Sequence, residues 1–390
     1  MEHYLNDLVF RLYERARGAN GDKFAVPVFQ DPASIHRILG DPAQFPKNMG
    51  LIQPLGDSRF TANGQEWERR RDLTQRDYLS AGAAGNAAHV AATYEAELAH
   101  SDATPEGIHR ALMRASSDLF FRSLGCATDA GRFLDFFDRA RRYVKRLQYH
   151  SWNSPTAPDS EKLKTEGRAV MQAFAAEAAA SAATQALMRR LRDRAGALDH
   201  FDPLQELLMN FFAGIETTAA TLSFAIDRLG ADPRVQQRLF DEIQAGKQEV
   251  YLNCFVQETM RYFPAIPFVV REAASDGSLN GVNFTKGQIV VVSVVGLHHN
   301  SECWNEPEIF DCSRAEFLDD TYNRRAFLPF LSGPRMCGGA KLAKLELVEG
   351  LRAFVRRFTV HGGTDEIGFD YGLALRPKSW SEVRIERRRG

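Results

Sequence analysis

The chain has 390 residues, which is enough to bury a large hydrophobic core. Its formal net charge is −1 and 44% of its residues are hydrophobic, a balance that argues against a general nucleic-acid binder and against a strongly basic membrane-surface protein. The five cysteines are scattered and form no CxxC pair. They therefore exclude a disulfide framework or a zinc cluster, and they suit a reducing compartment.

The N-terminal segment MEHYLNDLVFRLYERARG carries charged residues within its apolar pattern. A signal peptide or a membrane anchor needs a longer uncharged run, so we predict a cytoplasmic protein without a membrane anchor. FAVPVF at 24–29 predicts a short strand. DPASIHRILGD predicts a helix that has Asp31 as its N-cap and Pro32 at its first position.

Two longer helices are predicted further along the chain. Residues 173–196 are alanine-rich and amphipathic, and Gly196 is a plausible terminator. In DPLQELLMNFFAGIETTAATLSFAIDRLG, Asp202, Pro203 and Gln205 form a capping-box pattern, and Gly230 occupies the position of a terminal glycine. This pattern predicts a helix of about 26 residues. It is apolar nearly all round, so we expect it to be buried.

The segment AGIETT, residues 213–218, is an unusual choice for the middle of a buried helix. Gly214 costs about 1 kcal/mol relative to alanine, and the carboxylate of Glu216 is unfavourable unless it is paired or neutral. One interpretation is a helix kink at which Thr217 bonds back to a carbonyl. The other is a polar notch in an apolar pocket, and the segment alone does not decide between them.

Few strands are predicted in the C-terminal half. GVNFTKGQIVVVSVV indicates a hairpin that turns at Lys286 and Gly287, and LALRP with EVRIERR indicates a second hairpin. No repeat, low-complexity tract or linker interrupts the chain. The expected fold class is therefore mainly α with a small β portion, with a single domain over residues 1–390 and one long buried central helix.

FLSGPRMCGGAKLAKLELVEG places a lone thiol, Cys337, in a glycine-rich turn in front of a predicted helix. Free cysteines are often buried structural residues. Here Gly338 and Gly339 remove side chains around the sulfur, and the start of the helix and Arg335 favour a thiolate. Such a thiolate serves as a nucleophile or as a metal ligand.

This loop resembles the haem-binding loop of the cytochrome P-450 family, with Phe330, Gly333, Arg335, Cys337 and Gly339 at the matching positions. Two residues depart from the family pattern. Leu331 occupies a position at which the family generally has a small or polar residue. Gly338 occupies a position at which the family usually has an apolar side chain. The resemblance implies b-type haem with Cys337 as the axial ligand of the iron. Because hydrogen bonds to the sulfur influence the redox potential of the iron, the glycine at position 338 leaves that potential undetermined.

Four other stretches resemble family segments in the same order. QETMR resembles the ExxR helix, and its Glu258 and Arg261 are implied to form a structural ion network with Arg314. AGIETT resembles the oxygen-activation segment, in which Ala213 and Gly214 lie at the haem and Glu216 and Thr217 form the catalytic acid–alcohol pair. The stretches NGQEWERRR and PAIPFVVREA are implied to contact the haem propionates through Trp67, Arg71 and Arg271, and Arg335 would join them.

The resemblance implies an O₂-dependent monooxygenase that hydroxylates, or oxidises in a related way, an apolar small molecule. Substrate-facing positions are implied at Met209, Phe212, Ala213, Phe268 and Val269. Electrons are expected from a separate ferredoxin or flavodoxin with its reductase, and we expect a monomer. Two alternatives stay open, namely a peroxygenase of the same fold that uses hydrogen peroxide and a non-catalytic haem-thiolate sensor.

The loop and the helix that follows it also suggest where an electron donor would bind. Lys341, Lys344, Arg324 and Arg325 lie close to Cys337 in the sequence. They form either a basic docking face for an acidic ferredoxin or an ordinary solvated surface.

Overall fold

The computed structural model describes residues 9–14, 24, 26–49, 56–81, 86–123, 134–135, 137–144, 146, 160–196, 198, 201–246, 249–363 and 368–388. The helices with defined bounds are α1 (Pro32–Gly40), α2 (Gly64–Ala81), α3 (Ala87–His100), α4 (Pro105–Ser123), α5 (Ser160–Ala179), α6 (Ala182–Ala195), α7 (Pro203–Ala231), α8 (Pro233–Ala245), α9 (Val250–Tyr262), α10 (Val294–His298), α11 (Ala315–Leu318) and α12 (Ala340–Arg357). The strands are β1 (Val28–Phe29), β2 (Phe268–Glu272), β3 (Gly277–Leu279), β4 (Val282–Phe284), β5 (Ile289–Ser293), β6 (Phe358–His361), β7 (Phe369–Tyr371), β8 (Leu375–Pro377) and β9 (Arg384–Arg387). The mainly helical fold with a small β portion is as predicted.

Helix α7 forms the centre of the fold. It packs against α4, α8, α9 and α12 and also against strands β6 and β8. Its side chains are buried along most of its length, and they share one large apolar cluster with α3, α4 and α12. A polar group on this helix is therefore surrounded by protein and needs a partner.

The ends of α7 agree with the prediction only in part. The side chain of Asp202 caps the helix by accepting the N–H of Leu204 at 2.9 Å. Gln205 does not complete a capping box, because its side chain accepts the N–H of Asp57 at 2.9 Å instead. Gly230 lies inside the helix, which has 29 residues. A Cβ there would meet the carbonyl oxygen of Gly362 at 2.1 Å, so glycine at this position allows a close approach of two backbones.

The alanine-rich stretch forms two helices rather than one. Helix α5 ends at Ala179, and α6 begins after Ser181, whose side chain accepts the N–H of Thr184. The hydroxyl of serine offers the backbone an alternative to continuing a helix, and alanine propensity does not overcome it. Gly196 terminates α6 as predicted.

Strand β5 lies in the middle of a three-stranded sheet, parallel to β1 and antiparallel to β2. The predicted hairpin at Lys286–Gly287 is wrong, because β4 pairs with β3 and not with β5. The predicted C-terminal hairpin is also wrong: β8 pairs with β7, and β9 pairs with β6. Within the described ranges, none of the helices combines the length and apolarity needed to cross a bilayer.

Helix α12 carries a buried carboxyl group that was not singled out in the sequence. Glu346 is 4% exposed, and it accepts hydrogen bonds from Tyr94 at 3.0 Å and from Ser116 at 2.7 Å. Burial raises its pKa to about 7, although the two hydrogen bonds oppose the rise. The group ties α12 to α3 and α4.

Glu346 should make the stability of the protein depend on pH. Between the ordinary pKa of 4.5 and about 7, the folded protein keeps a proton that the unfolded chain has released. The free energy of unfolding therefore falls as pH rises through this window, by about 3 kcal/mol in total. Glu346→Gln keeps the acceptor and the volume but removes the titration. Urea unfolding near pH 5 and near pH 8 should show a larger loss in the wild type than in the variant, and identical pH profiles for the two proteins would contradict the assignment.

Candidate active site

Cys337 lies in a tight loop that is held by its own backbone and by helix α1. Its N–H donates to the carbonyl of Phe330 at 3.0 Å, and Met336 donates to Gly333 at 3.1 Å. Gly333 has φ +74°, and a Cβ there would meet the carbonyl oxygen of Leu39 at 2.4 Å. Leu331 also adopts a left-handed backbone, with φ +60°. The loop therefore has one sterically required glycine and one unfavourable conformation that the surrounding structure must support.

The thiol of Cys337 is exposed although protein atoms surround it closely, as expected for a group that lines an internal cleft. Gly339 begins helix α12 as its N-cap. Burial raises the pKa of the thiol, and the N–H of Gly339 and the charges of Arg59 and Lys47 oppose the rise. Arg335, which the sequence suggested for this role, acts elsewhere. Because the net pKa is raised, the protein alone does not favour the thiolate, whereas a coordinating metal ion deprotonates a thiol.

The ring of Trp67 on helix α2 contacts two arginines. The guanidinium of Arg335 lies 4.5 Å from the ring centroid, and that of Arg71 lies 4.8 Å from it. Arg335 donates to the carbonyl of Ala62 at 2.8 Å. Arg71 forms an ion pair with Asp72 at 2.8 Å and is partly exposed. The structure thus brings Trp67 and Arg335 together, while Arg71 is already engaged by a neighbouring carboxylate.

Four cations act on one another electrostatically, and we call them the cation cluster: Lys47, Arg59, Arg271 and Arg335. Two of them, Lys47 and Arg59, also act on Cys337. Burial and the charges of Arg271 and Arg59 lower the pKa of Arg335 to about 10. The pKa of Lys47 is lowered by burial and by the three arginines, and burial lowers that of Arg271 to about 10. Like charges at such short range are unfavourable unless an anion binds between them.

Three members of the cluster have no carboxylate partner in the described part of the chain. Lys47 donates to the carbonyl of Phe60, Arg271 to that of Val270, and Arg335 to that of Ala62. The Nη2 group of Arg271 is buried and makes no hydrogen bond. A buried donor without an acceptor is rare in folded proteins, and an anionic group is a suitable partner for it.

On the other side of the site, helix α7 presents a short accessible strip. Gly214 is exposed, and Ala213 and Thr217 are half-buried, in the middle of a helix that is mostly buried. The hydroxyl of Thr217 donates to the carbonyl of Ala213 at 3.1 Å, which is the back-bonded geometry of the first interpretation. The accessible strip also fits the second interpretation, in which these residues line a cleft.

The carboxylate of Glu216 does not reach the hydroxyl of Thr217 through any hydrogen bond in the structure. It is 1% exposed and lies 2.8 Å from Arg376 on β8. The two groups are within ion-pair distance, but they are not aligned for a hydrogen bond. Burial raises the pKa of Glu216, and the positive charges of Arg376 and Arg141 oppose the rise. Arg376 is a partner that the sequence did not suggest.

The expected substrate positions differ in their accessibility. Met209, Phe212 and Phe268 are buried, and the ring centroids of Phe212 and Phe137 lie 5.1 Å apart. Ala213 and Val269 are partly exposed. Of these five residues, Ala213 and Val269 therefore offer the most surface to a bound molecule.

A buried ion network lies at the ExxR helix, α9. Glu258 accepts two hydrogen bonds from Arg261, at 2.7 and 2.8 Å, and one from Arg314 at 2.9 Å. All three side chains are at most 3% exposed. Arg261 also donates to the carbonyls of His298 and Pro307, and Arg314 donates to those of Asn305 and Ile309. The network therefore joins α9 to the end of α10 and to the segment that follows it.

Comparison with known proteins agrees with this geometry. A family model described as cytochrome P450 matches residues 160–380, more than half of the chain. The chain is 32% identical over 218 residues to "Probable cytochrome P450 4p3" of Drosophila melanogaster, an alignment that covers 51% of this chain and 42% of the relative. It is 30% identical over 213 residues to "Cytochrome P450 4V2" of Homo sapiens, covering 50% and 40%. It is 34% identical over 177 residues to "Cytochrome P450 3A13" of Mus musculus, covering 42% and 35%.

The chain belongs to the cytochrome P450 family. The alignments span about two fifths of the length of these curated relatives. Proteins of the family bind haem b, and the residues present fit this cofactor. The thiol of Cys337 is accessible, the unpaired donor of Arg271 and the cation cluster suit carboxylates, and the strip on α7 has small side chains.

Sequence reasoning missed Lys47, Arg59 and Arg376 as site residues. Lys47 and Arg59 lie in a segment whose pattern predicts neither helix nor strand, so no periodicity points them toward the site. Arg376 lies on a short strand that pairs with β7. A lone basic residue in such a strand carries no signal until the partner across the fold, Glu216, is known.

The ion network generates a stability prediction. In Glu258→Ala two buried guanidinium groups lose their shared carboxylate, which should cost about 3–5 kcal/mol. We expect little folded protein and little bound haem, measured as soluble yield, haem content and urea midpoint. Glu68→Ala is the matched control, because Glu68 is exposed on α2, and its effect should stay within about 0.5 kcal/mol. A Glu258→Ala protein with the yield and haem content of the control would contradict the structural role.

Proposed function

We propose that the chain is a haem-thiolate monooxygenase that inserts one oxygen atom from O₂ into an apolar small organic molecule, by hydroxylation or a related oxidation. The observation that carries this proposal is the accessible thiol of Cys337 at the start of α12, beside the cation cluster. Haem b supplies the iron at which O₂ is activated. The remaining tasks fall to the residues of this chain.

Cys337 is the proposed axial ligand of the haem iron. The propionates are assigned to Arg271, Arg335 and Lys47, since these three cations have no carboxylate partner in the described residues. The ring of Trp67 helps to hold the guanidinium of Arg335 in place through a cation–π contact. Arg71 is less suited to bind a propionate, because Asp72 already neutralises it.

Phe330, Gly333 and Gly339 shape the loop, and Ala213 and Gly214 allow close approach of the haem to α7.

Thr217 and Glu216 are proposed to supply protons to the cleft. The hydroxyl of Thr217 is half-buried and can reach a bound molecule once it turns away from the carbonyl of Ala213. Because burial raises the pKa of Glu216, its carboxyl can hold a proton at a higher pH than an exposed glutamate does. The positive charge of Arg376 limits the rise in the pKa of Glu216, so the carboxyl group can also release its proton.

The proposed substrate is apolar because the side chains assigned to contact it are Met209, Phe212, Ala213, Phe268 and Val269. None of these residues offers a charged or hydrogen-bonding side chain, so the pocket selects by shape and apolar surface. Ala213 and Val269, which are partly exposed, make the first contact in this proposal.

Electrons are proposed to arrive from a separate ferredoxin or flavodoxin that its own reductase reduces. Lys341 and Lys344 are exposed near the loop of Cys337, and Met336, with 53% of its surface exposed, adds an apolar patch. Arg325 is also exposed, but Arg324 forms an ion pair with Asp320 at 2.7 Å. A basic rim around an apolar contact suits an acidic donor protein.

A monomer and a cytoplasmic location remain predictions from the sequence.

We also infer that residues 1–390 serve one haem-binding domain. One large apolar cluster joins side chains from Val90 to Ile385. Two smaller clusters join residues of the N-terminal part to strand β5 and to the C-terminal half, so that each cluster contains residues far apart in the chain.

Two measurements test the function. Reduced protein with carbon monoxide should show the absorption of thiolate-ligated haem, and addition of apolar compounds should shift the ferric haem absorption. With reduced ferredoxin or flavodoxin and O₂, such compounds should gain one oxygen atom. Labelled oxygen from ¹⁸O₂ in the product distinguishes this reaction from one that uses peroxide. Full haem loading without thiolate-type absorption would overturn the proposal.

Thr217→Ala tests proton delivery. The variant loses a hydroxyl but little volume, so haem and substrate should still bind. Product formed per reductant consumed should fall by at least about tenfold, a conservative threshold below the roughly 10²–10⁴-fold that a positioned proton donor contributes, and hydrogen peroxide should accumulate. Thr217→Ser, which keeps the hydroxyl, should stay near the wild type.

Supplied hydrogen peroxide separates the alternatives. It should restore much of the activity of Thr217→Ala, since the oxygen is then already reduced. Unchanged coupling in Thr217→Ala would refute the role of the hydroxyl. A wild-type protein that forms product only from peroxide, despite competent donor proteins, is a peroxygenase. One that binds haem but forms no product under any of these conditions would favour the sensor alternative.

A further inference from the structure

The residue after Cys337 is a glycine, Gly338, and the structure shows what occupies the space beside it. A Cβ at Gly338 would lie 2.9 Å from Nη2 of Arg59 and 3.3 Å from Oε1 of Gln75. The guanidinium of Arg59 is therefore packed against the backbone of the residue next to the thiol. An apolar side chain at position 338 would exclude it.

Arg59 is held in this place at both ends. Its guanidinium donates to the side chains of Thr74 at 3.0 Å and Gln75 at 2.7 Å, both on α2. Its backbone N–H donates to the carboxylate of Glu206 on α7, at 2.9 and 3.1 Å. Glu206 is 1% exposed and also pairs with Arg70 at 3.3 Å. A long cationic side chain that is fixed in this way loses little further entropy when it acts on a neighbouring charge.

The position of Arg59 has an electrostatic consequence for Cys337. Its guanidinium lies against the residue that follows the thiol and is held there by Thr74 and Gln75, so a fixed positive charge stands next to the ligating residue. Arg59 is the member of the cation cluster that lies nearest to a Cβ at position 338. Hydrogen bonds and charges near a ligating sulfur set how much electron density it donates to the iron.

We propose that Arg59 and Gly338 form a matched pair in which the guanidinium takes the place of the missing side chain and tunes electron donation from Cys337 to the haem iron. Arg59 is a positioning residue in this proposal, since it acts through the sulfur. Reduction adds negative charge to the iron centre, and a fixed cation nearby stabilises that charge. The inference rests on the proposed function, because it requires thiolate-ligated haem.

The test uses the haem-loaded full chain and two readouts, the reduction potential and the C–O stretching frequency of the reduced carbon monoxide complex. In Arg59→Ala the ratio of reduced to oxidised protein at a fixed applied potential should fall about tenfold, which is about 59 mV for one electron. The C–O stretching frequency should fall too, because a stronger thiolate donor increases back-donation from iron. Arg59→Lys keeps the charge and should restore most of both values.

Gly338→Ala tests the pairing without removing the charge. The new methyl group must displace the flexible end of Arg59, so both readouts should shift in the same direction as in Arg59→Ala. In the double variant the methyl group enters free space, and its effect should disappear. Such non-additivity is expected only for residues in contact.

Arg271→Gln is the matched control for a cation of the same cluster that does not act on Cys337. It should weaken haem retention and leave the C–O stretching frequency unchanged. If Arg59→Ala behaves like this control, Arg59 is a propionate contact only and the inference is wrong. If all variants keep thiolate-type absorption and the potential of the wild type, the inference is likewise wrong. A wild type without thiolate-type absorption overturns the proposed function together with this inference.

Discussion

The rest of the site depends on the ion pairs that the buried carboxylate of Glu258 forms with two arginines. It neutralises Arg261 and Arg314, and these two arginines use their remaining N–H groups on backbone carbonyls from His298 to Ile309. A single buried anion therefore organises a stretch of chain that has little regular structure of its own. Such an arrangement contributes less to net stability than to uniqueness, because each charge is costly without its partners.

Two kinds of polar group are placed in the interior. The groups of the Glu258 network and the Glu346 site are satisfied within the protein. Members of the cation cluster, in contrast, keep unmatched charge and at least one unpaired donor. This difference distinguishes the two kinds of polar group by a physical criterion, since most buried polar groups in folded proteins have a hydrogen-bond partner.

The class of fold and the central helix could be predicted from the sequence because both depend on local signals. Apolar periodicity, the Asp202 cap and Pro203 are sufficient for α7, and the glycine turn is sufficient to single out Cys337. Strand pairing was wrong at both proposed hairpins, since pairing depends on which distant strand offers an open edge and adjacency in sequence does not determine it. The contacts of Arg59 and Arg376 could not be predicted for the same reason, because each links segments more than a hundred residues apart.

The close approach of Gly230 to Gly362 has a mechanical consequence. Where side chains separate two elements, small shifts are absorbed by changes of rotamer. Here the backbone of α7 and that of the loop after β6 meet directly, and a Cβ at Gly363 would also lie 2.9 Å from the carbonyl oxygen of Asp227. No compliant layer exists between them. A displacement of the C-terminal half of α7 therefore acts directly on the backbone of Gly362 and Gly363.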